Sequence, residues 1–262
     1  MMVKALRVSE KNFPSLPFRM RTKKRGTDMI QEKRDMFSLR AIENIPPADA
    51  EALPMLREYA ALLPIYRGAL KLACTKIEVL DDEFRMNYNR SPVHHIESRI
   101  KMPESVLRKM RRKELPFTID ALRAGVRDVA GVRVVCAYIN DIYCLAEMLL
   151  KQEDVTLLRR RDYISTPKES GYRGLHLLVA LPVHLSSHRE TVPVEIQLRT
   201  IAMDSWAALE HELQYKNNAS LPQRFADQLR MCAETASVLD CNMQSIMQQI
   251  DDWPQEESTE KK

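Results

Sequence analysis

Five short apolar runs, separated by stretches in which apolar residues recur every three or four positions, constrain this chain more than any other feature. The runs are Val93 to Ile100, Val132 to Ala137, Val155 to Arg159, Leu175 to Leu181 and Val192 to Leu198. Their length and β-branched content predict strands. The spacing of Ile65, Ala69, Leu72, Ala73, Ile77, Leu80 and Phe84 predicts an amphipathic helix that starts after Pro64 and ends near Asn87, since proline suits a first helical turn. Further helices are predicted over Pro103 to Lys113, Asp141 to Gln152 and Ile201 to Gln214. This interleaved order predicts an α/β (α+β) chain with a mixed β-sheet flanked by helices. No internal repeat is visible.

With 262 residues, 45% hydrophobic and 29% charged, the chain can bury a sizeable core and falls outside the disordered, collagen-like and disulfide-scaffold classes. The five cysteines include no CxxC pair, so reduced thiols are expected rather than a zinc ribbon. No apolar run reaches the roughly 18 residues of a membrane span, and the N-terminus lacks the apolar core of a signal peptide. A cytoplasmic protein without membrane contact is the expectation. The net charge of +4 is unevenly spread: residues 1–27 hold eight Lys/Arg against Glu10 alone, whereas residues 251–262 hold five acids against Lys261 and Lys262.

Four regions follow. Residues 1–48, with the basic cluster from Arg19 to Arg25 and a break at Pro46 and Pro47, read as a flexible basic arm that either contacts RNA or solubilises the chain. Residues 49–220 form the α/β domain, 221–250 an amphipathic helix, and 251–262 an acidic tail. In the C-terminal helix Phe225, Leu229, Cys232, Ala236, Leu239, Met243, Ile246 and Ile250 are spaced 4, 3, 4, 3, 4, 3, 4. A mean period of 3.5 residues is what a helix needs to meet another helix along a continuous stripe. Docking on its own domain and contact with a second subunit both satisfy it.

The six glycines fall into neither GxxxxGK[ST] nor GxGxxG, which excludes a P-loop or dinucleotide fold. Any phosphate chemistry here rests on side chains and metal. Residues 99–113, RIKMPESVLRKMRRK, carry seven basic residues and one acid. Arg99 and Lys101 share a strand face, while Ser105, Lys109 and Arg112 share a helix face. The run is either a solvated basic surface or a converging set of cations. Asp128 stands just before one strand, in which Arg133 alternates with apolar residues, and Glu195 and Gln197 share the polar face of PVEIQLR. Carboxylates on core strands are costly unless paired. They either seat Mg²⁺, a cation that prefers oxygen ligands and phosphate partners, or pair with Arg133 or Arg199. In RRRDYISTPKESGYRGLH, Tyr172 either packs or offers an aromatic face to a base.

Four segments, HIESRIKMPESVLRKMRRK, RDVAGVRVVCAYINDIY, RDYISTPKESGYRGLH and PVEIQLRTIAMDSWAALEHELQYK, resemble in this order the synthetase domain of the RelA/SpoT family, in its single-domain form, the small alarmone synthetases. The likeness spans about residues 60–216. It implies a nucleotidyltransferase-like fold and transfer of the β,γ-pyrophosphate of ATP to the 3′-hydroxyl of GDP or GTP, giving ppGpp or pppGpp and AMP. By the same resemblance Arg99, Lys101, Ser105, Lys109, Arg112 and Arg133 would bind ATP, and Asp128 and Glu195 would hold Mg²⁺, with Glu195 also activating the acceptor hydroxyl. Arg161, Lys168, Tyr172, His176, Gln197 and Asp204 would surround the acceptor nucleotide, with Tyr172 stacking on guanine. At Asp204 some relatives carry Asn.

The resemblance further implies self-association, as a tetramer, and an alarmone or single-stranded RNA as allosteric ligand. No His is followed by Asp, so synthesis without hydrolysis is expected. Rival readings are a toxin-like enzyme that pyrophosphorylates the 3′ end of tRNA, and a non-catalytic RNA-binding regulator. Intact Asp128, Glu195 and Tyr172 argue against a decayed site.

Overall fold

The computed structural model describes residues 30–32, 51–217 and 222–253. Most of the expected basic arm and the end of the acidic tail lie outside the described residues. Within the arm, Ile30–Glu32 forms a short strand, β1. It is followed by α1 (Leu53–Tyr88), β2 (Val93–Ile100), α2 (Pro103–Arg112), α3 (Ile119–Gly125), β3 (Ala130–Cys136) and α4 (Ile139–Leu150). Then come β4 (Thr156–Asp162), β5 (Leu175–His184), β6 (Arg189–Thr200), α5 (Ile201–Asn217) and α6 (Gln223–Asp251).

The strands form one mixed sheet in the order β1-β2-β3-β6-β5-β4. β1 runs parallel to β2 and β3 parallel to β6, while the other neighbours are antiparallel. One face is apolar: Val132, Val134 and Cys136 alternate with Val194, Ile196 and Leu198 and with Leu175, Leu177 and Val179, all buried. Helix α1 packs across this face with Tyr59, Ala69, Ala73 and Ile77, and α4 adds Ile142, Leu145 and Leu149. No described helix is long and apolar enough to cross a membrane.

Several boundaries differ from expectation for physical reasons. α1 begins at Leu53, so Pro64 lies inside it. The hydrogen bond that proline forfeits is offset by burial of Tyr59, Leu63 and Tyr66 around it. Leu72, expected on the apolar face, is instead 38% exposed. β4 extends through Arg161 to Asp162, because a sheet-edge strand exposed on both faces accommodates charge. The short α3 escaped detection, although Thr118 caps it by accepting from the Ala121 amide at 3.3 Å; seven residues carry too little periodicity.

The C-terminal helix docks in an unexpected way. Its buried residues are Ala233, Asp240 and Gln244, while Phe225, Cys232, Leu239, Met243, Ile246 and Ile250 of the heptad stripe stay exposed. Residues 233, 240 and 244 lie one position beyond 232, 239 and 243, a rotation of about 100° around the helix. Asp240 accepts from the Thr200 hydroxyl at 2.7 Å, and the Gln244 side-chain carbonyl accepts from the Asn140 amide at 3.0 Å. Internal docking therefore uses polar anchors and an alanine, and leaves the apolar seam outside.

Candidate active site

The other sheet face carries the polar side chains. Strand register aligns Glu97 of β2, Arg133 of β3, Gln197 of β6, His176 of β5 and Arg161 of β4 in one transverse row. The adjacent row holds Arg99, Gly131 and Glu195. Gly131 contributes no side chain between the other two, which leaves space there. Glu97, Arg99, Asp128, Gly131, Arg133, Glu195 and Gln197 line a shallow, open cleft with an internal volume of about 70 Å³.

Asp128 occupies the lip of this cleft, where the β2–β3 ladder runs on through the Lys101 amide to the Val129 carbonyl at 2.8 Å. The Tyr59 hydroxyl donates to the Lys101 carbonyl at 2.6 Å and ties the same point to α1. Lys101 and Lys109 reach Asp128 Oδ2 at 2.8 and 2.7 Å. Burial pushes the Asp128 carboxyl up, but hydrogen bonds and charge from the two lysines outweigh it and hold the carboxyl below its ordinary value. Its other oxygen, Oδ1, is buried without a hydrogen-bond partner.

Glu195 is flanked by Gln197, which donates to it at 2.9 Å, and by His176, whose Nδ1 lies 3.8 Å away. Burial again pushes the carboxyl up, and His176 and Gln197 bring it below the ordinary value. The arginines at hand to neutralise the two acids turn elsewhere. Arg133 lies 3.3 Å from Glu97 and 3.4 Å from Asp204, and Arg199 lies 3.1 Å from Asp204. Asp128 thus keeps a buried oxygen free of hydrogen bonds, and Glu195 keeps out of both arginine pairs. Among the described residues no three His, Cys, Asp or Glu side chains cluster to hold a metal. A hard divalent cation fits this pair of carboxylates if phosphate oxygens complete its shell.

Arg199, which the sequence offers only as a salt-bridge partner, organises the side of the site that carries Tyr172. The residue is 6% exposed. Its Nε and Nη2 donate to the Tyr172 hydroxyl at 3.1 and 2.8 Å, Nη2 also reaches Gln197 Oε1 at 3.2 Å, and Nη1 reaches Asp204. His176 Nε2 stands 2.6 Å from the same hydroxyl. Because Arg199 fills the lone pairs of that oxygen, its proton points to His176 Nε2, which places the imidazole's single proton on Nδ1, facing Glu195. A chain of donors thus runs from Arg199 through Tyr172 to His176, whose ring faces the carboxylate at 3.8 Å. Burial pushes the Tyr172 phenol up, against the lowering effect of Arg199, so it stays protonated.

Lys168 lies over the rings of Tyr163 and Tyr172, 4.7 and 4.6 Å from their centroids. The loop turns at Gly171 (φ +89°) and Gly174 (φ +155°). A Cβ at Gly174 would crowd the Tyr172 hydroxyl at 3.2 Å, and the positive φ there is one that side chains rarely adopt, so the backbone favours glycine. Of the residues singled out in the sequence, Lys101, Lys109 and Asp128 converge, as do Tyr172, His176, Gln197 and Glu195. Asp204 is engaged by Arg133 and Arg199 rather than presented freely. Ser105 is half-buried on α2, Arg99 is exposed at the cleft, and Arg112 is exposed on the last turn of α2. Arg161 is also exposed, with Nη1 3.4 Å from the Tyr163 hydroxyl.

A polar sheet face that sets two ionised carboxylates beside a lysine pair and an arginine-held tyrosine is equipped to hold a phosphorylated ligand together with a cation. A family model described as "Region found in RelA / SpoT proteins" matches residues 98–220. The GTP pyrophosphokinase YwaC of Bacillus subtilis is 39% identical over 197 residues, 75% of this chain and 94% of the relative. The GTP pyrophosphokinase YjbM of the same organism is 35% identical over 195 residues, 74% of this chain and 90% of the relative. Among solved structures, small alarmone synthetase 1 from Bacillus subtilis bound to its product pppGpp has a TM-score of 0.68 at 36% identity, covering 74% of this chain and 98% of that one. The chain belongs to the RelA/SpoT family and over about three quarters of its length is similar to small alarmone synthetases.

Proposed function

We propose that this chain is a GTP pyrophosphokinase that transfers the β,γ-pyrophosphoryl group of ATP to the 3′-hydroxyl of GDP or GTP, forming ppGpp or pppGpp and AMP. The observation that carries this reading is Asp128, with one carboxylate oxygen held by Lys101 and Lys109 and the other buried and free of hydrogen bonds, on a cleft it shares with Glu195. Arg99, Lys101, Ser105, Lys109, Arg112 and Arg133 bind ATP, and the cations among them neutralise charge on its phosphate oxygens. Asp128 and Glu195 hold Mg²⁺, which when bound supplies further charge neutralisation.

Glu195 accepts the proton of the attacking 3′-hydroxyl, since a carboxyl held below its ordinary value is ionised at neutral pH. Tyr172 stacks on the guanine, and Arg161, Lys168, His176, Gln197 and Asp204 complete the acceptor side. His176, pointing Nδ1–H at Glu195, steadies the carboxylate in the orientation from which it accepts that proton. The exposed apolar stripe of α6 joins copies of the chain, as a tetramer, in the cytoplasm. Thin-layer separation of labelled products after incubation with ATP and GDP, GTP, AMP or tRNA tests the reading. Labelled guanosine tetra- or pentaphosphate is expected; label on tRNA alone, or no product, overturns it.

A further inference from the structure

The loop that carries Tyr172 rests on the C-terminal helix. A Cβ built at Gly171 would lie 2.7 Å from the Ala233 Cβ and 3.4 Å from the Arg230 Cα. The loop backbone and α6 therefore touch with no spare volume. Ala233 is 4% exposed and belongs, with Trp206 and Ala207 of α5, to a small cluster separate from the main core, against which Tyr172 and Leu229 pack. The Trp206 indole donates to the Leu229 carbonyl at 2.9 Å, pinning α5 to α6 one turn before Ala233. The Asp240 and Gln244 anchors set the register of the helix further along.

This contact has a directional consequence. The residues that hold Asp128 come from the link just after β2 and from α2, and neither is in the cluster around Ala233. The tyrosine's hydroxyl end is held by Arg199 and His176, and the backbone that feeds it, at Gly171, lies directly against α6. A branched side chain the size of leucine at position 233 has to push the loop away, because a helix held at three points yields less than a loop whose residues 165–170 are all exposed.

We propose that Ala233 is a positioning residue for the acceptor nucleotide: by its small size and its place on a pinned helix, it sets the depth at which the 163–174 loop presents Tyr172. The inference rests on the assignment of Tyr172 to the guanine side, and it makes α6 part of the acceptor site while leaving the ATP side independent of it.

The test compares Ala233→Leu, the near-isosteric Ala233→Ser, and Val238→Leu as a control on the exposed side of the same helix, all in the full chain. Affinities for GDP and for a non-reactive ATP analogue are read separately by calorimetry, with KM and kcat for each substrate. Ala233→Leu is expected to weaken GDP binding and raise the acceptor KM by about tenfold or more, with the ATP analogue within about twofold and kcat at saturation little changed. Ala233→Ser and Val238→Leu should behave as wild type. Should Ala233→Leu fail to fold, Trp206→Phe, which keeps the ring but loses the bond to Leu229, should shift the acceptor KM alone by a few-fold. Unchanged acceptor affinity, or equal losses for both nucleotides, overturns the proposal. Wild-type protein that binds neither nucleotide overturns the functional reading and this role with it.

Discussion

Replacing Tyr172 by Phe separates the two jobs of this side chain, because it removes the hydroxyl and keeps the ring. The hydroxyl takes two bonds from the Arg199 guanidinium, at 3.1 and 2.8 Å, and meets His176 at 2.6 Å. The arginine side chain is only 8% exposed, so water does not easily replace the lost acceptor. Its Nη1 keeps Asp204 and its Nη2 keeps Gln197, which leaves Nε as the donor stripped of its partner. A hydrogen bond to a charged group contributes about 1.5–3 kcal/mol, and retention of two of the three partners favours a value near 2 kcal/mol. With a urea m-value of about 2 kcal/mol per molar, the unfolding midpoint should fall by about 1 M at fixed protein concentration. Guanine-nucleotide affinity should fall much less than in Tyr172→Ala, where loss of the stacking ring costs about 1–3 kcal/mol. Urea titration followed by circular dichroism, with calorimetry for GDP, measures both. A midpoint within about 0.2 M of wild type would show that Arg199 does not depend on this hydroxyl.

Asp128→Asn and Glu195→Gln should each lower kcat by about a hundredfold or more while the protein stays folded; near-normal turnover in either variant removes that residue from the mechanism. The Asp128 carboxyl sits below its ordinary value, so its pairing stabilises the fold above the unfolded-state pKa of about 4 and that contribution fades as the pH falls through the folded value. Asp128→Asn should accordingly be less stable than wild type at pH 7, with the gap closing in acid; a pH-independent gap in denaturant titrations contradicts the pairing. Asp240 behaves oppositely: burial pushes its carboxyl up despite the bond from Thr200, so ionisation costs stability as the pH rises and Asp240→Asn should melt no lower than wild type at pH 7. Leu239→Asp with Ile246→Asp, at positions 54% and 49% exposed, should reduce the particle mass in light scattering with unchanged helicity. An unchanged mass, or loss of helicity, counts against a subunit seam.

The local pattern carried a good share of the architecture. β2 was legible from end to end, since the β-branched Val93, Ile96 and Ile100 mark a short run bounded by a turn and by Pro103, and the helices α2, α4, α5 and α6 followed from periodicity within a few residues. The basic run, Asp128 and Glu195 were visible as chemistry because charge on or beside a core strand is costly and draws attention wherever it occurs. What period alone does not contain is which strand lies beside which. Register across β2, β3, β6, β5 and β4 is what lines up Glu97, Arg133, Gln197, His176 and Arg161, and it joins residues far apart in the chain.

The same limit explains Arg199 and Asp204. At positions 199 and 204 they read as a strand end and a helix start, and only the turn between β6 and α5 brings them together while Tyr172, 27 residues earlier, arrives from a loop. It also explains α6, where the heptad announced one interacting stripe and the fold docked another. Spacing reports which residues share a face of a helix. Whether that face or its neighbour meets the domain depends on complementary partners, here Thr200, Asn140 and the glycine at 171, which are supplied by distant parts of the chain and become neighbours only on folding.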